Sequence, residues 1–208
     1  MDKRLKAVKS LIRPGIGVID VGTDHGYIPV ALSKEGYKGN IIACDINQGP
    51  LSAAKANAEK AGVTNIDFRL SNGLEKCGCT EADTIIIAGL GGDIICSIID
   101  NASWLQSSKY NIILQPMTKP EVLRYFLTNN GFEILRELNV EDSGRIYAVI
   151  QSSFTGRNQQ YSDAQLFTGK NPCIKLAEKA LKSVEKKRGR SFYKAAAEEI
   201  RGMTDDRN

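Results

Sequence analysis

The run Val18-Ile19-Asp20-Val21-Gly22-Thr23-Asp24-His25-Gly26-Tyr27 constrains this chain more than any other stretch. Residues 18–21 have β character, an acidic turn bearing two glycines follows, and a helix-like segment covers residues 28–33. Strand, tight turn and helix in that order open a nucleotide-binding α/β sheet. The turn also narrows the ligand. A P-loop needs Gly-x4-Gly-Lys-Ser/Thr to cradle phosphates, and this turn has no lysine. A dinucleotide loop needs Gly-x-Gly-x-x-Gly so that backbone can approach a pyrophosphate, and Asp24 stands in the second glycine's place. Carboxylates at Asp20 and Asp24 would repel a diphosphate. They suit a ligand that is cationic or rich in hydroxyls and amines. S-adenosylmethionine, with its sulfonium and ammonium groups, has that chemistry.

Strand-like and helix-like segments alternate along the chain. Leu5, Val8, Leu11 and Ile12 at helical spacing predict a helix over 3–13, ended by Pro14-Gly15. After the first strand and its helix (28–34), strands are predicted at 41–44, 66–70, 84–88 and 111–114, the last stopped by Pro116. Helices are predicted from Pro50 to the glycine cap at Ala61-Gly62, over 93–100, and over 119–130 with Pro120 in its first turn. Two further strand-like runs, 133–138 and 145–152, flank the turn Glu141-Asp142-Ser143-Gly144. Five βα units closed by a hairpin form an α/β, Rossmann-like sheet of the class I methyltransferase type. In a plain dinucleotide fold the last strand would arrive by another helical crossover.

Beyond Phe154 the character changes. Residues 155–160 read as a polar linker, and 172–187 and 192–203 as two helices interrupted at Gly189. The expected organisation is a methyltransferase domain over 1–154 and a basic, coiled-coil-like helical hairpin over 155–208. The net charge of +4 is concentrated there: residues 1–165 sum to −1 and residues 166–208 to +5. Such a basic run is either a solvated helical face or an arm that meets nucleic acid phosphates. Lys175, Lys179, Lys182 and Lys186 recur at spacings of three and four and so share one helix side, with Ile174, Ala177, Leu181 and Val184 in the neighbouring stripe.

Five scattered cysteines, an odd count without framework spacing, predict a reducing cytoplasm. Cys77-Gly78-Cys79 lacks a second ligand pair and His25 is the single histidine, so no metal site is expected. No apolar run reaches membrane-spanning length, and the polar start MDKRLKAVKS does not resemble a signal peptide.

Candidate site residues lie at strand ends. Gly22 would let a cofactor approach the backbone beside Asp20, or would simply make a tight turn. Asp45 ends the second strand about twenty residues beyond the glycine turn, where a carboxylate can accept both ribose hydroxyls of an adenosine cofactor. Ile46 and Asn47 adjoin it, and Asn47 either backs up that contact or caps the next helix. Asn72 and Gly73, after the third strand, either read an adenine amino group or make an Asn-Gly turn. Gly89, Gly91 and Gly92 follow the fourth strand, without the Asn/Asp-Pro-Pro-aromatic motif of amide-directed base methylation. Their small size leaves room for a planar substrate, or merely opens a helix. Gln115 and Pro116 line the same mouth or terminate a strand. Asp24 and His25 are candidates for acid–base work, and Tyr27 either stacks on a base or packs on the sheet.

Together these segments resemble the bacterial tRNA (adenine-N1)-methyltransferases that modify position 22, the TrmK family. The matching residues are Asp20-Val21-Gly22-Thr23-Asp24-His25 with Tyr27-Ile28-Pro29, Asn47-Gln48-Gly49-Pro50, Arg69-Leu70-Ser71-Asn72-Gly73-Leu74, Ala88-Gly89-Leu90-Gly91-Gly92 and Ile113-Leu114-Gln115-Pro116. The resemblance spans roughly residues 3–152. It implies S-adenosylmethionine as cofactor, tRNA as partner and N1 of an adenine in the D-loop region as acceptor. Asp24 is then the carboxylate expected to take an N6 proton or stabilise the cationic product. The chain departs from the family pattern at Asn72 (usually aspartate), Leu90 (methionine), Met117 (asparagine) and Ala148 (glutamate), and its helical tail is short.

Overall fold

A computed structural model describes residues 1–185 and 191–205. Helix α1 (Lys3–Ser10) precedes five parallel strands, of which four, not the expected five, are followed by a helix. These are β1 (Gly17–Val21) with α2 (Tyr27–Lys34), β2 (Asn40–Asp45) with α3 (Gln48–Lys60), β3 (Asp67–Leu70), β4 (Thr84–Gly91) with α4 (Gly92–Asp100), and β5 (Asn111–Thr118) with α5 (Pro120–Asn129). The unit of β3 has no helix; residues 71–83 return to the sheet as turns. A 3₁₀ turn, Ser103–Leu105, leads into β5. The hairpin of β6 (Phe132–Asp142) and β7 (Arg145–Phe154) closes the sheet, and α6 (Asp163–Thr168), α7 (Ile174–Glu185) and α8 (Ser191–Asp205) complete the chain.

Among the described residues the strands form a seven-stranded sheet in the order β3-β2-β1-β4-β5-β7-β6. β1 to β5 pair in parallel and β7 enters antiparallel between β5 and β6. That is the class I methyltransferase order. Apolar strands feed both faces, as a sheet covered on both sides requires. Ile85 and Ile87 of β4 join Ile95, Ile99, Leu123 and Leu127 of α4 and α5 in one core. Ile86, one residue out of phase, faces Val8, Leu11, Ile28 and Leu32 of α1 and α2.

Pro116 does not stop β5: the strand continues to Thr118, and a shift of register beside Leu90 accommodates the residue that lacks an N–H. Leu90 and Gly91 are likewise paired strand rather than open loop, and Gly89 is the unpaired residue at the register shift. The stretch 155–160 is docked rather than free. Thr155 N–H donates to Gly131 O (2.9 Å), Gln159 N–H to Thr128 O (3.0 Å), and Gln159 Oε1 accepts from the β6 backbone at Ile134 (2.9 Å).

Helix α6 was not expected, yet it carries a capping box in which Ser162 and Gln165 satisfy each other's backbone N–H groups. It packs Ala164 and Phe167 against Ala177, Ala180 and Val184 of α7 and Ala196, Ala197 and Ile200 of α8. Ile174 stays 40% exposed instead of joining that stripe, because it begins α7 ahead of the contact, and Ala180 takes part in its place. The lysine row is not wholly solvated. Lys175 pairs with Glu141 and Lys179 donates to Ile146 O (3.3 Å), so its near end leans on the β6–β7 hairpin. Lys182 is exposed, and Lys186 lies outside the described residues.

The junction between sheet and arm is a buried ion pair. Arg124 of α5 is 1% exposed; it meets Glu137 of β6 through Nη2 (2.5 Å) and Nε (3.2 Å), and donates from Nη1 to Leu166 O of α6 (2.6 Å).

Candidate active site

The carboxyl ends of β1 to β4 open onto a cavity of about 1020 Å³. Gly22 contributes its backbone: its φ of +71° is a left-handed conformation, and a Cβ there would lie 3.3 Å from the Leu90 side chain. Asp45, Ile46 and Asn47 line the cavity from the end of β2. Asp45 is buried, and one of its carboxylate oxygens accepts the Asn47 N–H at 2.9 Å, which fixes the carboxylate's orientation. Asn47 precedes α3 but makes no side-chain cap bond to it, so its side chain is not spent as a cap.

Asn72 and Gly73 form the next wall. Asn72 donates its amide to Glu75 at 2.7 Å, which leaves its carbonyl as the directed acceptor. This wall is braced from outside by Arg69, which grips Glu81 bidentately (2.7 and 2.8 Å) and holds Lys76 O at 2.8 Å. The guanidinium and the Gly78 N–H hold the Glu81 carboxyl down to about 2. Gly89, at φ +85°, completes the ring of strand ends.

Asp20 sits beneath this floor rather than on it. It is 6% exposed and accepts from Thr23 Oγ1 at 2.7 Å. Burial pushes its carboxyl up to about 6; the Thr23 bond opposes the shift and the Asp45 charge adds to it. Asp20 borders a second, smaller compartment of about 110 Å³ on the other side of Gly22 and Asp24, lined also by Arg4, Tyr27 and Ala88. Gly22 and Asp24 line both spaces and so form the wall between them.

Asp24 holds a left-handed φ of +50°, uncommon for a residue with a side chain. Its carboxylate is exposed and lies 3.8 Å from His25 Nε2. Tyr27 is half exposed at the start of α2, with its ring centroid 5.5 Å from that of His25.

The remaining candidates are placed differently. Gly92 starts α4 against the backbone of Lys119, where a Cβ would come within 2.2 Å of Lys119 O, so its smallness serves packing. Gly91 lies beside Asp93 and Thr118. Gln115 is fully buried and its amide is internally engaged: Oε1 accepts from Arg4 and Gly89, and Nε2 donates to Pro116 O. It braces the site without opening onto either space.

Sequence reasoning missed one whole side of the cavity. Asp93, Ile94, Ser97 and Ile98 of α4 line it, as does Trp104. The amphipathic pattern of α4 marked a buried face but not what that face would meet. Asp93 is held below the usual carboxylate range by Lys119, 2.7 Å away.

The cavity's chemistry is one-sided: Asp24, Asp45, Glu75 and Asp93 line it, and among the described residues no lysine or arginine does. Such a space accepts a cationic, hydroxyl-bearing ligand and disfavours a diphosphate. No group of three His, Cys, Asp or Glu residues is placed to hold a metal among the described residues, and no described helix is long and apolar enough to cross a membrane.

Fold and cavity together define a class I methyltransferase, and the methyltransferase-domain family matches residues 1–150. The tRNA (adenine(22)-N(1))-methyltransferase of Bacillus subtilis is 32% identical over 170 residues, covering 81% of this chain and 71% of that protein. The structure superposes on Streptococcus pneumoniae Sp1610 in complex with S-adenosyl-L-methionine with a TM-score of 0.83 at 28% identity, covering 98% of this chain and 99% of that one. Mycoplasma capricolum TrmK in complex with S-adenosyl-homocysteine gives 0.74 at 28% identity, covering 99% and 95%. The chain belongs to the tRNA (adenine(22)-N1)-methyltransferase family.

Proposed function

We propose that this protein methylates N1 of adenine 22, in the D-loop region of tRNA, with S-adenosylmethionine as methyl donor. The observation that carries this reading is the acidic cavity, free of described basic residues, separated by the Gly22–Asp24 wall from a compartment bearing an aromatic ring and a carboxylate. S-adenosylmethionine supplies, when bound, a methyl on a sulfonium that leaves as a neutral thioether while the new N–C bond forms. Asp45 fits the ribose hydroxyls, and the Asn72 carbonyl fits the adenine amino group of the cofactor. Gly22 and Gly89 keep the floor low, and the carboxylates favour the cofactor's positive charges.

Neutral adenine has an in-plane lone pair at N1, so no strong base is needed to create a nucleophile. Holding that edge in line supplies much of the acceleration. Methylation leaves a cationic base, and Asp24 is placed to stabilise that charge or to accept a proton from N6. N1 lies on the Watson–Crick edge, so a stacked or paired target must first be exposed. Tyr27, and His25 beside it, offer rings on which the exposed base can rest.

Residues 1–154 carry the chemistry in this reading, and residues 155–208 are the arm that meets tRNA phosphates, with exposed Lys182 as a candidate for that contact. A tRNA substrate places the reaction in the cytoplasm. Methyl transfer from labelled cofactor to bulk tRNA, with small RNAs and proteins as controls, tests the assignment. Label on tRNA adenine is expected; label on protein or small RNA instead would overturn it.

A further inference from the structure

Arg4 comes from α1, far in sequence from the strand ends, yet it lines the small compartment beside them. Its Nη1 donates to Gln115 Oε1 at 2.5 Å, and the same oxygen accepts the Gly89 N–H at 3.2 Å. Gln115 Nε2 donates to Pro116 O at 2.8 Å. The second nitrogen of the same guanidinium, Nη2, donates to Asp2 Oδ2 at 3.3 Å, while Asp2 Oδ1 caps α1 through the Leu5 N–H at 2.7 Å. One hydrogen-bonded chain therefore runs from the cap of α1 through Arg4 and Gln115 to the ends of β4 and β5. Gln115 has no exposed surface, so water cannot replace a missing partner without opening the structure. The Arg4 side chain is 16% exposed and faces the compartment of Asp24, Tyr27 and Ala88.

Resting on the function proposed above, the geometry points to Arg4 as a positioning residue for the acceptor base. The small compartment admits the edge of that base, and Arg4, acting through Gln115 on the Gly89 amide, ties that compartment to the rim of the donor cavity and so fixes the distance from base to methyl donor. The planar guanidinium matters here as a shaped fork rather than as a charge. An ammonium on a flexible stem cannot hold the amide oxygen in the same plane. Transfer is sensitive to such placement, because misalignment of reacting atoms by about 1 Å costs on the order of 100-fold in rate.

Arg4→Met and Arg4→Lys, made in the full chain, test this with two readouts. Hydrogen exchange at the Gly89 amide should accelerate about tenfold or more in Arg4→Met, since its acceptor loses its anchor. Single-turnover methylation of tRNA at saturating cofactor should fall about tenfold or more in both variants, while S-adenosylmethionine affinity stays within about twofold of the parent. Full rescue by Arg4→Lys would assign Arg4 to charge alone and overturn the positioning role. So would an unchanged rate in Arg4→Met, or an unchanged Gly89 exchange rate. A fall in rate matched by an equal loss of cofactor affinity would make Arg4 a brace of the cofactor cavity and equally overturn it. Failure of the parent protein to methylate tRNA at all would instead remove the underlying function, a result separable from the exchange measurement.

Discussion

At the carboxyl end of the sheet, Asp20, Asp45 and Gln115 are buried, each held by a hydrogen-bond partner. In the arm, α6 to α8 bury mainly small apolar residues, among them Ala164, Ala177, Ala180, Ala196 and Ala197. Burying polar groups is costly unless they are bonded, and a bonded buried network is rigid. The rim accepts that cost where geometry must be fixed. The C-terminal helices incur it less, packing closely on alanine with Thr168 as their fully buried polar side chain among the described residues, its hydroxyl bonded to Ala164 O and Gly169 O. The two regions are joined by Arg124, whose charge is almost completely desolvated.

That junction provides the harshest way to separate rim from arm. Arg124→Met strands Glu137 with 12% exposure and removes the donor to Leu166 O. Breaking one side of a buried pair costs about 3–5 kcal/mol, so denaturant unfolding should show a loss of that order. If the arm contributes nothing to the chemistry, cofactor affinity below the unfolding range should survive. A loss of stability well under about 1 kcal/mol would mean that the junction is water-accessible and the two regions are less firmly joined.

A second test acts on the rim alone. Asp45→Ala should weaken S-adenosylmethionine binding by about 1.5–3 kcal/mol through lost ribose hydrogen bonds, read by calorimetry. Unchanged affinity in a folded variant would remove Asp45 from the site.

The third exploits the raised carboxyl of Asp20, displaced by burial from 3.8 to about 6. The folded protein holds this proton more tightly than the unfolded chain does, so the Asp20 contribution to stability falls as pH rises from about 4 to about 6 and stays low above that. Denaturant unfolding across that window should therefore show stability falling as pH rises, with a smaller slope in Asp20→Asn. A slope that is flat in that window, or unchanged in Asp20→Asn, would contradict a buried carboxyl that holds its proton.

The smallest expected effect belongs to the arm's surface. Lys175 and Glu141 are both more than half exposed, and solvent screens such pairs, so Lys175→Gln should leave stability nearly unchanged. If Lys182 touches a phosphate, Lys182→Gln should lower the slope of log affinity for tRNA against log salt by about one. An unaltered slope would make that residue only a solvated lysine.

The sequence carried the rim well because its signals are local. A strand, a glycine with positive φ and a carboxylate at the next strand's end need only short spacings to be read. Asp45 ends β2 and Gly22 follows β1, the strand positions expected of them, and both line the large cavity. What was not legible depends on distant partners. Nothing near Arg4 announces a bond to Gln115, 111 residues away, and nothing in α4 says that Ile94 and Ile98 will face a cavity. The stop expected at Pro116 failed because a register shift against β4 let the strand continue. Helix α6 had its signal in Ser162 and Gln165, but six residues gave no periodicity to support it.

Methyl transfer in the acidic cavity to the Watson–Crick edge of one tRNA adenine can be read by incubating the protein with S-adenosylmethionine and a tRNA carrying adenine 22, then identifying the methylated nucleoside and mapping it by primer extension. The expected product is 1-methyladenosine with reverse transcription arrested at position 22, and both should be lost when that adenine is replaced by guanine. Methylation at another atom or base, or equal methylation of the guanine-substituted tRNA, would contradict it.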